Sequence, residues 1–125
     1  MTGRRILLVE DDRFLRRACE ASLRQRGFSV AVAVDGEDAL DKVRQSPPDL
    51  ILLDLLMPRM TGIEVLRTLR AQEPTRGIPV LILSNSSSRE EDAEEIRTLG
   101  VSDYLVKANL SLQELGDRVT RLLEG

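Results

Sequence analysis

Two kinds of hydrophobic spacing alternate along the chain. Short apolar runs at Arg4–Val9, Phe28–Val34, Asp49–Leu53, Ile78–Leu83 and Ser102–Val106 have the length and the aliphatic or β-branched content of strands. Between them, apolar residues recur at three and four. From Asp12 to about Arg26 the positions Phe14, Leu15, Ala18, Cys19 and Leu23 form one helical stripe, and Gly27 stands where a C′ glycine ends a helix. Asp35-Gly36 marks a turn, Ala39, Leu40 and Val43 stripe a second helix, and Pro47-Pro48 stops it. Ile63, Leu66 and Leu69 place a third helix from Gly62 to about Glu73. A fourth runs from Ser88, which suits its cap with Glu91 three residues on, to Leu99 before Gly100. In the fifth, Ser111 and Glu114 form a capping box ahead of an apolar face of Leu112, Leu115, Val119, Leu122 and Leu123.

The order is β-α five times over. Strands apolar on both faces, alternating with amphipathic helices, predict a parallel sheet covered on both sides, and right-handed crossovers make it a doubly wound three-layer α/β sandwich. No linker, repeat or low-complexity tract divides residues 1–125, so one domain is expected.

Composition narrows the function classes. Apolar residues make up 42% of the 125 and charged residues 31%, as in an ordinary globular domain. The net charge is −3 with no basic cluster, which weighs against direct nucleic-acid binding. No apolar run approaches the roughly 20 residues that span a bilayer, so no membrane insertion is expected. MTGRR is followed by no secretory h-region, so the expected location is cytoplasmic. The single cysteine, Cys19, forms no internal disulfide and reads as a packed thiol. The chain has no histidine, which removes Ser-His-Asp triads, Cys-His pairs and the usual zinc sites together.

Ligands of such sheets sit at the carboxyl ends of the strands. ILLV is followed there by Glu10-Asp11-Asp12, LILL by Asp54, VLIL by Ser84-Asn85-Ser86 and YLV by Lys107. The second strand delivers nothing comparable, as suits an outer position. Clustered carboxylates raise one another's pKa unless a cation neutralises them, and hard oxygen donors suit Mg²⁺. Asp54, held between such a cation and the Lys107 ammonium, is expected to stay ionised and to act as a nucleophile. Phosphorus is its natural electrophile, because phosphoryl transfer is mostly positioning and charge neutralisation.

ILLVEDD, LILLDLLMPRMTG, VLILSNS and YLVK, at these spacings, resemble the receiver domains of two-component response regulators, the chemotaxis-regulator fold, over the whole chain. The resemblance implies a flavodoxin-like (βα)5 sheet in the order 2-1-3-4-5. It implies Asp54 as phosphoacceptor, Asp11 as a direct Mg²⁺ ligand, and Glu10 beside it, partly through water. The backbone carbonyl of Leu56 completes the protein's share of the metal shell. Ser84 and Lys107 bind phosphoryl oxygens, and Tyr104 matches the switch aromatic that turns inward when Ser84 is drawn to the phosphate. Asp12 then reads as the cap of the first helix. Gly62 reads as relief of backbone strain in the loop after Asp54.

Two positions depart from the family. Ala108 follows Lys107 where a proline with a cis bond is usual, which leaves the geometry of that bond open. Asn85 stands where a small residue is usual; it would narrow access to Asp54 or add a phosphate hydrogen bond. Leu56 beside the site would hinder the water that hydrolyses the acyl phosphate.

The expected partners are a sensor histidine kinase or phosphotransfer protein, and a downstream protein in trans that reads helix 4, strand 5 and helix 5. Dimerisation through that face stays open. The chain is expected to be a switch and not a turnover enzyme. The alternatives are a pseudo-receiver that binds proteins without taking phosphate, and a haloacid-dehalogenase-type phosphatase. The latter wants a second carboxylate where Leu56 stands.

Overall fold

A computed structural model describes residues 3–84 and 90–124. Asn85, Ser86 and Ser88 lie outside them, as do the side chains of Glu90 and Glu91, so the readings made on those residues fall outside the described structure.

The five apolar runs become strands β1 (Arg5–Val9), β2 (Ser29–Ala33), β3 (Leu50–Asp54), β4 (Val80–Ser84) and β5 (Asp103–Val106), all parallel and ordered β2-β1-β3-β4-β5. The helices are α1 (Arg13–Gln25), α2 (Gly36–Gln45), α3 (Gly62–Ala71), α4 (Glu90–Leu99) and α5 (Leu112–Glu124). Side chains of a strand alternate between faces, and that alternation divides the core. Leu7, Val9, Ile51, Leu53, Val80 and Ile82 meet α2, α3 and Ile96 of α4 on one face. Ile6, Leu8, Leu50, Leu52, Leu81 and Leu83 meet Cys19 and Leu23 of α1 and Leu115 and Val119 of α5 on the other. Each buried aliphatic side chain contributes about 1.5–3 kcal/mol by leaving water, which explains why the central strands are apolar on both sides.

Helix ends follow their sequence signals closely. Asp12 Oδ1 accepts from Phe14 N and Leu15 N, at 2.9 and 3.2 Å. Gly27 takes φ 96° just past the α1 cap, a region closed to most side chains. Ser111 Oγ accepts from Glu114 N at 2.9 Å, while the Glu114 carboxylate turns to Arg118 at 3.3 Å. The capping box with both arms is instead at α3, between Thr61 and Glu64. α3 stops at Ala71, short of Glu73, because Pro74 opens a separate single-turn 3-10 segment over Glu73–Thr75.

Phe14 departs from its expected place on the α1 stripe. It is 86% exposed. The first turn of α1 stands at the carboxyl edge of the sheet, where the strands end and offer nothing to pack on.

The outer edge of β2 is covered by its own flanking helices. Ser29 N and Ala33 O bond to β1 and its extension, so the backbone groups of Val30, Val32 and Val34 face outward. Arg24 of α1 donates to Val30 O at 2.9 Å. Lys42 of α2 donates to Val32 O, and Val34 N donates to Asp38 at 3.2 Å. Lys42 and Asp38 also pair with each other at 3.3 Å.

Candidate functional site

Parallel register brings the predicted site residues to one edge. Val9 stands beside Leu53, Asp54 beside Leu83, and Ser84 beside Val106, so the residues that end or follow β1, β3, β4 and β5 share one depth at the carboxyl edge. Glu10, Asp54 and Ser84 are buried there, and Asp11 is exposed.

Lys107 is the centre of the charge pattern. Its Nζ lies 2.8 Å from Glu10 Oε1 and 3.1 Å from Asp54 Oδ2. Both are close ion pairs, but the approach leaves neither oxygen with a well-directed hydrogen bond. The second oxygens are better placed: Glu10 Oε2 accepts from Asp12 N at 3.0 Å, and Asp54 Oδ1 from Leu56 N at 3.1 Å. One ammonium is thus shared by two buried carboxylates. Burial, and then the charge of Glu10, push the Asp54 carboxyl up to about 7, against Lys107 and the Leu56 amide, which lower it. Lys107 thus offsets only part of the upward pull that burial and Glu10 exert on the Asp54 carboxyl. For Lys107 itself burial pulls the pKa down, but the bonds and charges of Glu10 and Asp54 outweigh it and leave the ammonium above the ordinary lysine value.

The donor set fits a hard divalent cation. Glu10, Asp11 and Asp54 each place a carboxylate oxygen so that the three lie within 4.8 Å of one another. With Glu10 Oε1 and Asp54 Oδ2 buried and poorly bonded, an all-oxygen site for Mg²⁺ is a chemical match.

Three local features hold this arrangement. Arg16 Nη1 of α1 donates to the carbonyls of Glu10 and Asp11, at 3.1 and 3.3 Å. Gly62 opens α3 against the β3 end: its N–H donates to Leu55 O at 3.0 Å, and a Cβ there would overlap the Asp54 carbonyl oxygen. Its φ is not in the left-handed region, so close approach, and not the strain relief expected, is what demands glycine. The left-handed residue in that loop is Arg59, at φ 68°, whose guanidinium reaches Asp35 at 3.4 Å. Sequence reasoning missed Arg16; its place four residues after the helix cap was the only signal.

Among the described residues no peptide bond is cis, so Lys107–Ala108 is trans, inside a 3-10 turn over Lys107–Asn109. Leu56 is 60% exposed beside Asp54. Tyr104 is half-buried against the α2–α4 core, with its hydroxyl buried and unbonded among the described residues, and it lines a groove of about 470 Å³ with Ala93, Ile96, Arg97, Gly100 and Val101. Cys19 is buried, and burial first, then Glu10, push its thiol up to about 11, as befits a packed thiol. Among the described residues no helix is long and apolar enough to cross a membrane.

Comparison with known proteins agrees with this geometry. The model of the response regulator receiver domain matches residues 6–120. The response regulator MprA of Mycolicibacterium vanbaalenii is 40% identical over 121 residues, covering 95% of this chain and 50% of that protein. The chain spans about half the length of the curated relatives it matches. Vibrio cholerae chemotaxis protein CheY4 superposes with a TM-score of 0.86 at 30% identity, covering 96% of this chain and 98% of that one. The receiver domain of the Francisella response regulator 1452 gives a TM-score of 0.85 at 32% identity, with 97% of each chain covered. Sequence, fold and the converging strand ends together establish that the chain belongs to the response regulator receiver domain family, the signalling switches of two-component systems.

Proposed function

We propose that Asp54 accepts a phosphoryl group from a histidine kinase or phosphotransfer protein, and that the aspartyl phosphate then alters the face of α4, β5 and α5. The observation that carries this reading is Asp54 buried 3.1 Å from Lys107, with Glu10 and Asp11 oxygens within 4.8 Å. An Asp54 carboxylate oxygen attacks phosphorus of the partner's phosphohistidine; the P–N bond breaks and its electrons leave with the imidazole. Asp11, Glu10 (partly through water), Asp54 and the Leu56 carbonyl would hold Mg²⁺. Bound there, Mg²⁺ supplies neutralising charge for the carboxylates and the incoming phosphoryl oxygens. Lys107 exchanges part of its contact with Glu10 for a phosphoryl oxygen. Ser84, at the same depth, donates to another. The pull on Ser84 and the new charge bias Tyr104 and the groove it lines between two packings, which another protein reads.

Incubation with acetyl phosphate and Mg²⁺, followed by intact mass, tests the acceptor. A phosphoryl adduct is expected, and it is expected to vanish in Asp54→Ala. No adduct on the native chain would favour the pseudo-receiver, a protein-binding module that takes no phosphate.

Docking of the donor makes a separate prediction. Phe14 is a large exposed side chain on the first turn of α1, on the pocket's own edge. A macromolecular donor must cover that edge, whereas acetyl phosphate need not. Phe14→Ala is expected to slow phosphotransfer from a histidine kinase about tenfold, the cost of a typical aromatic anchor, and to leave the acetyl phosphate rate unchanged. Equal rates with both donors would remove Phe14 from the docking face.

A further inference from the structure

One residue of α1 takes three consecutive carbonyls of the acidic turn. Arg16 N donates to Asp12 O at 2.9 Å in the ordinary helical way. The Arg16 Nη1 reaches back to Asp11 O at 3.3 Å and Glu10 O at 3.1 Å. Arg16 is half-buried, and its described side-chain bonds go to peptide oxygens of the acidic turn.

This matters most for Asp11. Glu10 is fixed through its own carboxylate, by Lys107 and by Asp12 N. Asp54 is fixed by Lys107 and Leu56 N. The Asp11 carboxylate is exposed, and no described residue bonds it. The place from which it reaches the pocket is therefore set by its backbone, and among the described residues the side chain that bonds the Asp11 carbonyl is Arg16.

We propose that Arg16 is a positioning residue for the acidic pocket, holding the Glu10–Asp12 turn so that Asp11 is aimed at the cation before the cation arrives. The proposal rests on the reading of Glu10, Asp11 and Asp54 as a Mg²⁺ site. It adds that a preorganised turn is part of that site's affinity, as partners of metal ligands are elsewhere.

The sign of the effect separates positioning from charge. A guanidinium bonded to the turn that carries Glu10 and Asp11 repels a divalent cation bound by that turn, so neutralising it would, by charge alone, tighten Mg²⁺ binding. Loss of positioning weakens it. Mg²⁺ alone is titrated by calorimetry into the native chain, Arg16→Gln, Arg16→Lys and Asp11→Asn, with thermal unfolding measured without Mg²⁺. Arg16→Gln is expected to raise the Mg²⁺ Kd about tenfold. Arg16→Lys keeps a donor able to replace Nη1, and its Kd is expected to stay within about threefold of native, a partial rescue of the same order-of-magnitude effect. An unchanged or tighter Kd in Arg16→Gln, or a loss in Arg16→Lys equal to that in Arg16→Gln, overturns the positioning role. So does a Kd change in Arg16→Gln that disappears at a temperature where both chains are fully folded. No saturable binding to the native chain, or binding undiminished in Asp11→Asn, would instead overturn the metal reading, and this proposal with it.

Discussion

Replacing Gly62 with alanine is expected to destabilise the chain by about 3 kcal/mol or more, the upper range for forcing atoms into a packed region. On helix propensity alone the change should help, by about 1 kcal/mol. Packing reverses the sign. The new Cβ would overlap the Asp54 carbonyl oxygen and come 2.8 Å from Leu55 Cα and 3.0 Å from the Asp54 carbonyl carbon. All three are backbone atoms of the β3 end, so no side chain can rotate away. Relief requires α3 to lift or β3 to bend, and either displaces the residue that carries the acceptor carboxylate. Urea unfolding would show the lost stability, and acetyl phosphate labelling of the folded fraction would fall with it. An alanine variant as stable as the native chain would show that the α3–β3 contact yields, contrary to this account.

The second large effect is expected at Lys107. Lys107→Met removes the ammonium that pairs with Glu10, 0% exposed, and Asp54, 1% exposed. Breaking a buried pair from one side costs about 3–5 kcal/mol, but a carboxylate can escape that cost by taking up a proton. The Asp54 carboxyl already sits at about 7, raised first by burial and then by Glu10, and losing Lys107 removes a charge that lowers it. A raised folded-state pKa means the native state binds more protons than the unfolded state above the ordinary carboxylate range. Stability then falls as pH rises from about 4 through neutrality. The variant's deficit is accordingly expected to be small near pH 5 and to reach about 3 kcal/mol at pH 8. Adding Asp54→Asn to Lys107→Met should recover part of it at pH 8, because one of the two stranded charges is gone. Urea titrations at both pH values decide this; a deficit independent of pH would mean the lysine acts through packing of its stem. Phosphoryl uptake by Lys107→Met should fall steeply at either pH, since the phosphoryl oxygens lose their fixed cation.

The fold was readable because burial wrote itself into the spacing of the chain. Ile51, Leu52 and Leu53 are apolar in succession only because both faces of β3 are covered, and Ala39, Leu40 and Val43 recur at helical intervals because α2 covers one of them. The chemistry of Glu10, Asp11, Asp54, Ser84 and Lys107 was readable for a related reason: a polar residue at the end of an apolar strand has no packing role to explain it. What escaped the sequence depends on partners far along the chain. That Gly62 lies on the backbone of Asp54, that Lys107 divides itself between two acids, and that Arg16 turns back to carbonyls are all facts about neighbours in space. Phe14 misled because periodicity reports which side of a helix a residue is on, and not whether the sheet extends beneath it.

A parallel sheet with an uncovered flank offers hydrogen-bonding groups to any extended peptide that drifts alongside. On β2 the Val30 and Val32 carbonyls are already occupied by Arg24 and Lys42, and the Val34 amide by Asp38. An incoming segment would have to evict charged side chains to bond these groups. The β2 flank is therefore guarded against lengthening of the ladder, and the opposite flank, β5, belongs to the face proposed to meet other proteins.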